Sequence, residues 1–253
     1  MSFKPPQIGD SLATTYDDSF FRQHEKFRYI YEHLAALIRE FSPQKATTIV
    51  DVGCGHCILL EALGQHFKTA TGIDGSSKGI PPHMRERVSV IDMSQAGWAS
   101  AAMPTTDVVV CLETAEHLPA ESGKELIRAL VSQKPLLVVF SAATPYQDLN
   151  QNPGHLNEQR LSYWVEQFEA QGFTLLPEKN IPFRARLSSN QIYAPLGWYP
   201  KNLLLFTPGE STAVQFKAQD RMLVAHPLFQ LVADRDILEF ELLMLKRLCV
   251  LKR

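Results

Sequence analysis

The chain reads as an α/β protein, a parallel sheet with helices on both faces. Three observations point to it. Between Thr47 and Ser141 short apolar runs alternate with helical segments, a glycine-rich turn joins the first run to the first helix, and carboxylates recur at the C-terminal ends of the runs. Sheets of this kind bind ligands beyond the carboxyl ends of their strands, so the third observation bears on function as well as fold.

The 253 residues suffice for one sizeable core, and 45% apolar with 21% charged residues is ordinary for a globular chain. A formal charge of -2 gives no electrostatic reason to expect a nucleic-acid partner. No apolar stretch is long enough to span a bilayer, and Met1-Ser2-Phe3-Lys4-Pro5-Pro6 lacks the apolar core of a secretion signal. The expectation is a cytoplasmic protein with no membrane partner.

The elements follow in order. Ser19 to Phe41 carries Phe27, Ile30, Leu34, Leu37, Ile38 and Phe41 at helical spacing with charges between them, an amphipathic helix that covers one side of the sheet. It dominates an N-terminal helical cover, residues 1–45, whose Tyr16, Phe20, Phe21 and His24 form a candidate lid. Thr47 to Val52 then reads as a buried strand, glycines break it, and Ile58 to Gln65 reads as a helix. Asp51, two residues ahead of Gly53, sits where the diphosphate of a dinucleotide would lie and would repel it. A cationic ligand is favoured there instead. S-adenosylmethionine carries positive charge on its amino group and its sulfonium, and its carboxylate can rest on the N–H groups at the following helix N-terminus. The segment thus favours this cofactor over NAD. Thr69 to Asp74 is a second strand ending in an acid, and Asp74 lies 23 residues after Asp51, near the spacing at which nucleotide-binding folds place a carboxylate on ribose hydroxyls.

These residues carry a resemblance. Asp51-Val52-Gly53-Cys54-Gly55-His56-Cys57 resembles the first motif of the class I S-adenosylmethionine-dependent methyltransferases, acidic-x-Gly-x-Gly-x-Gly. Asp51, Gly53 and Gly55 match it, whereas Cys57 stands in place of the third glycine and its Cβ is expected to narrow the cofactor's approach. Val88 to Met93 resembles the family's third strand, with Asp92 placed for the adenine amino group and Met93 to cover the ring. Thr106 to Glu113 resembles the fourth, Pro135 to Ser141 the fifth, and Glu116-His117 matches a pair common in the ubiquinone-biosynthesis-type branch. The resemblance implies a Rossmann-like class I methyltransferase sheet, mostly parallel with its last strand antiparallel, over a core of residues 46–206. It also implies a cofactor site built from Asp51, Gly53, Cys54, Gly55, Asp74, Gly75, Asp92, Met93, Leu112 and Glu113.

Cys54-Gly55-His56-Cys57 is also the redox tetrapeptide of disulfide isomerases, but there an aromatic residue usually comes first, and a redox reading leaves Asp74 and Asp92 unexplained. Four cysteines, Cys54, Cys57, Cys111 and Cys249, do not make a disulfide framework in a chain this long. No second ligand pair stands at a zinc-like spacing, so no metal is expected.

Beyond the fifth strand a polar loop, Asp148 to Gly154, leads to His155-Leu156-Asn157-Glu158-Gln159. Asn157 is the expected cap of a helix with Leu161, Trp164, Val165 and Phe168 on its apolar stripe, ended by Gly172. Phe173 to Leu176 and Asn202 to Phe206 are the candidate closing strands. The insertion between them, residues 177–201, is too long for a hairpin, and its Phe183, Arg184, Arg186, Asn190, Tyr193, Trp198 and Tyr199 suit a binding surface. The C-terminal extension, residues 207–253, holds a helix over Ile237 to Val250 that is apolar on most of its circumference, which suggests burial in the core or a homo-oligomer contact.

Methyl transfer from a sulfonium is an in-line displacement, and a hydroxyl acceptor must also lose its proton, for which a neutral imidazole is the usual device. His155, in the loop where acceptors approach, is the first candidate base and His117 the second. His33, His66, His83 and His226 read as solvated or structural, and His56 matters through its backbone. The run from Ser141-Ala142-Ala143-Thr144-Pro145 through Gly154-His155-Leu156-Asn157-Glu158-Gln159 to Tyr163-Trp164 is similar to a subgroup of class I methyltransferases that includes saccharide-modifying enzymes. The expected acceptor is therefore a small-molecule hydroxyl, sugars or glycan precursors first. Transfer to nitrogen or carbon, a non-catalytic partner protein that keeps the fold, and a dinucleotide oxidoreductase stay as alternatives.

Overall fold

The computed structural model describes residues 24–95, 97–101, 103–145, 147 and 152–209. Tyr16, Phe20 and Phe21 of the candidate lid, the helix expected over Ile237 to Val250 with its subunit contact, and Cys249 lie outside them.

Helix α1 (Arg28–Phe41) precedes β1 (Thr48–Val52), α2 (Ile58–Leu63) and β2 (Thr69–Asp74). A 3₁₀ turn (Pro82–Arg87) leads to β3 (Val88–Val90), followed by a second 3₁₀ turn (Trp98–Ala101), β4 (Val108–Leu112), a third (Ala115–His117), α3 (Ala120–Ser132) and β5 (Leu137–Ser141). Then come α4 (Leu161–Glu169), β6 (Phe173–Leu175), α5 (Pro177–Ser188), a 3₁₀ turn (Gln191–Leu196), α6 (Trp198–Asn202) and β7 (Leu204–Pro208). One seven-stranded sheet runs in the order β3-β2-β1-β4-β5-β7-β6. The first five strands are parallel, and β7 is antiparallel to both β5 and β6. The strand order reverses between β1 and β4, and at such a switch point the outgoing loops part and leave a crevice.

Period two sorts the strand side chains between two cores. Ile49, Val108, Val110, Leu137 and Val139 face α1, α2 and the segment after β6, whereas Val50, Val52, Val109, Cys111, Val138 and Phe140 face α3 and α4. Burial on both faces is why these strands read as continuous apolar runs. The apolar stripe of α1 is buried as its spacing predicts, with Ile30, Leu34 and Ile38 fully covered. In the second core Phe168 stacks on Phe206 with ring centroids 4.0 Å apart, which fastens α4 to β7.

Three expectations need correction. Strand β3 stops at Val90, and Asp92 lies in the turn after it, its carboxylate accepting from the Ser94 N–H (3.0 Å) and hydroxyl (2.6 Å). Asn157 does not cap α4, for Arg160 occupies the cap position without a side-chain hydrogen bond and Asn157 is buried three residues earlier. The insertion 177–201 is helical, and its aromatic residues Phe183 and Tyr193 are turned into the first core instead of lining a surface. Arg184 is buried there, and its guanidinium donates to the Lys201 (2.5 Å) and Leu203 (3.3 Å) carbonyls. Arg186 is exposed but pairs with Glu40 at 2.8 Å, and only Trp198 and Tyr199 reach the crevice.

Asn180 holds this insertion to β7. Its amide donates to the Leu176 (2.9 Å) and Leu205 (2.8 Å) carbonyls and its oxygen accepts from the Leu205 N–H (2.9 Å). Asn180→Ala would leave that buried N–H without a partner, and a loss of about 1 to 3 kcal/mol is expected in urea unfolding. An unchanged midpoint would contradict the assignment.

Candidate functional site

The glycine turn after β1 is shaped by close approach. Gly53 has φ +80°, and a Cβ on it would lie 2.1 Å from the Thr114 hydroxyl oxygen, so only glycine fits. The Gly53 (2.7 Å) and Cys54 (3.2 Å) N–H groups both donate to the Ile73 carbonyl, which ties the turn to β2. Asp74, at the end of β2, accepts from Gly55 N–H at 2.7 Å and Ser76 N–H at 2.9 Å and so organises both loops. His56 rests on the Gly79 carbonyl through Nδ1.

Cys57 takes the left-handed conformation at φ 63°, and its side chain is fully buried in the first core. It does not line the crevice, which corrects the expectation that its Cβ narrows the cofactor's approach. Its thiol lies 4.0 Å from that of Cys54, and both are free. The contact with Cys57 and burial push the Cys54 thiol well above its ordinary range, opposite to the shift of a reactive cysteine.

Above the switch point lies a cleft of about 610 Å³. Every expected site residue lines it: Asp51, Gly53, Cys54, Gly55, Asp74, Gly75, Asp92, Met93, Leu112, Glu113, His117 and His155. Carboxylates dominate its charge, and no lysine or arginine is among the described residues that line it. Asp51 is only 3% exposed, and burial, with Asp74 adding repulsion, pushes its carboxyl up to about 7. Burial also raises Asp74, against the hydrogen bonds from Ser76, Gly55 and Gly75. A ligand bringing positive charge would relieve both acids, so the floor of the cleft fits S-adenosylmethionine and disfavours a diphosphate.

At the end of β4, Glu113 has φ 51° and accepts from Gln147 (3.0 Å) and Asn202 (3.4 Å). Burial raises its carboxyl against those hydrogen bonds. His24 Nδ1 meets the Tyr31 hydroxyl at 2.9 Å, and Tyr31 approaches Tyr199 edge-on, so the start of the described chain, α1 and α6 share one wall. Burial pushes the Tyr31 hydroxyl up to about 12. Tyr31 and Gln147 escape a sequence reading. Tyr31 stands in the amphipathic helix next to Ile30 with no motif to single it out, and Gln147 lies in a loop with no period.

The two histidines meet in the same cleft, their ring centroids 5.0 Å apart. His117 Nδ1 lies 3.0 Å from the Gly154 carbonyl, and burial pushes this ring down to about 4. His155 Nδ1 lies 2.8 Å from the Glu158 carboxylate. The two loops are pinned together because the Leu156 (2.7 Å) and Asn157 (2.9 Å) N–H groups both donate to the Glu116 carbonyl. Asn157 therefore orders the histidine loop instead of capping the helix.

A family model described as a methyltransferase domain matches residues 24–178. The ubiquinone biosynthesis O-methyltransferase of Pseudomonas entomophila is 37% identical over 112 residues, which cover 42% of this chain and 45% of that protein. Its counterpart in Thiobacillus denitrificans is 36% identical over 84 residues, 31% of this chain and 36% of that protein. The matches thus span less than half the length of these curated relatives. Among solved structures, an N-methyltransferase 2 from Haemonchus contortus, in complex with phosphomonomethylethanolamine and S-adenosylhomocysteine, superposes with a TM-score of 0.54 at 14% identity over 81% of this chain and 61% of that one. That is a likeness of fold.

Proposed function

Because the chain belongs to the methyltransferase-domain family, we propose that it moves a methyl group from S-adenosylmethionine to a small-molecule hydroxyl, sugars and glycan precursors first. The observation that carries this reading is the convergence of the glycine turn, the strand-end acids and the two histidines on one cleft. The cofactor supplies a methyl on a sulfonium, and as the acceptor oxygen forms its bond to that carbon the S–C bond breaks and its electron pair stays on sulfur.

In this reading Asp51 meets the cofactor's amino group, Asp74 the ribose hydroxyls, and Asp92 with Met93 the adenine. Tyr31, Trp198 and Tyr199 exclude water from the acceptor end. Holding the acceptor aligned is worth up to about 7 to 11 kcal/mol in favourable cases. His155 takes the hydroxyl proton. An ionised Glu158 can only accept, so it holds the proton on Nδ1 and leaves Nε2 as the basic nitrogen. With Cys57 turned into the core, the feature that most encouraged a non-catalytic reading loses its force.

Transfer to nitrogen is the second reading, since Asp51, Asp74, Asp92, Glu113 and Glu116 around the cleft suit an acceptor with an amino group. Kinetics of His155→Ala separate the two. On a hydroxyl acceptor kcat is expected to fall by about 10² to 10⁴ with cofactor affinity kept. Turnover that stays near the wild-type rate would contradict the hydroxyl reading and favour the amine.

A further inference from the structure

Glu116 is the group that methyl transfer leaves unexplained. Its side chain is fully buried, and neither carboxylate oxygen has a hydrogen-bond partner among the described residues, although the N–H groups of Glu116 itself and of Ala143 act weakly on it. A buried carboxylate without a cation or strong donors is costly. Beside it stand His117 and His155, and ligating atoms of the three residues lie within 4.8 Å of one another.

The cluster is built, not incidental. The paired bonds from Leu156 and Asn157 to the Glu116 carbonyl fix the loop of His155 against that of His117. Each imidazole has Nδ1 on an acceptor, the Gly154 carbonyl for His117 and the Glu158 carboxylate for His155. That outer arrangement is the one that orients metal-bound histidines, because it fixes the tautomer and makes Nε2 the ligating atom.

We propose that Glu116, His117 and His155 form a divalent-metal site of the zinc class, with its remaining coordination positions open to the cleft. Two imidazoles and one carboxylate suit zinc, iron(II), cobalt(II) or manganese(II) better than magnesium, which prefers oxygen ligands and retains water. The site's existence stands on these residues alone, while its role rests on the methyl-transfer reading. There a bound ion would polarise a hydroxyl acceptor so that its proton can pass to water, with His155 a ligand when the ion is bound and the base when it is not. A sequence reading misses the set because Glu116 and His117 are neighbours whereas His155 follows 38 residues after His117, a spacing no metal motif prescribes.

The test uses the full chain, stripped with a chelator and titrated with zinc by calorimetry and with cobalt by visible absorption. One ion per chain is expected, with a cobalt spectrum free of thiolate charge-transfer bands. Glu116→Gln and His155→Ala should each weaken binding at least about tenfold, and Glu158→Gln, one shell out, by about 10- to 100-fold. Circular dichroism of each variant guards against misfolding. The proposal is overturned if the wild type binds no ion, if the variants bind as well as wild type, or if a thiolate band places the ion at Cys54 and Cys57. Turnover insensitive to chelation but lost in His155→Ala would overturn the ion's role in transfer and leave the base reading intact. Zinc binding without any binding of S-adenosylhomocysteine would keep the metal site and remove the methyl-transfer role.

Discussion

Gly53→Ala is expected to abolish useful cofactor binding while the sheet stays folded. The new Cβ would sit 2.1 Å from the Thr114 hydroxyl oxygen, 2.7 Å from its Cγ2 and 2.9 Å from its Cβ, and alanine at φ +80° is strained whatever the space. Thr114 cannot retreat easily, since it is buried and its hydroxyl is held by the Leu112 carbonyl at 3.1 Å. The turn must therefore move away from β4, which breaks the bond from Gly53 N–H to Ile73 and displaces the backbone that faces the ligand. Backbone strain of about 1 to 3 kcal/mol and overpacking of about 1 to 3 kcal/mol both fall on the loop that binds. Even a total near 2 kcal/mol lowers affinity for S-adenosylhomocysteine by roughly thirtyfold. Calorimetric titration checks it, and a variant within about threefold of wild type would show that the turn does not face the ligand.

The second large effect is a pH dependence set by Asp51. Its carboxyl is raised from 3.8 to about 7, first by burial and then by Asp74, and Asp74 is raised as well. At Asp51 the folded protein therefore binds more protons than the unfolded chain between these values, so this group's contribution to the stability of the ligand-free protein falls as pH rises from about 4 to about 7. A shift of that size corresponds to at most about 4 kcal/mol. The buried His117 ring opposes it, for its lowered value of about 4 makes its own contribution rise with pH. Tyr31, Cys54, Cys111 and Tyr199 also sense the Asp51 charge, but each is raised and neutral in this range. A cationic ligand favours ionised Asp51, so affinity for S-adenosylmethionine should rise with pH through about 7. Asp51→Asn should remove the falling term from the stability curve and the rise from the affinity curve. Wild-type and Asp51→Asn curves that coincide, in both stability and affinity, would show that Asp51 neither carries the raised value nor meets a cation.

Much of this was legible in the sequence, for physical reasons that can be named. Strands β1, β4 and β5 are buried on both faces, so each is an uninterrupted apolar run, and the glycines and acids that end them mark where the chain turns. Asp51, Asp74 and Glu113 need no tertiary information to be placed, because the end of a parallel strand is already the mouth of the crevice. The insertion was less legible. Pro182 sits inside α5, and the helix owes its burial to Phe183, Leu187 and Asn180 against β7 and the first core, contacts that leave a weak period. Asn157 looked like a helix cap because capping asparagines are common before apolar stripes, yet its N–H is drawn to the Glu116 carbonyl across the loops. Cys57 misled in the same way, for a left-handed residue can turn its side chain into the core while its backbone still serves the turn.

If the cleft above β1, β2 and β4 holds the adenosyl cofactor, a crystal structure of the chain with S-adenosylhomocysteine will show it there. Density is expected with the ribose against Asp74, the adenine beside Asp92 and Met93, and the amino group facing Asp51. Density for the cofactor elsewhere, or an empty cleft at millimolar cofactor, would contradict it.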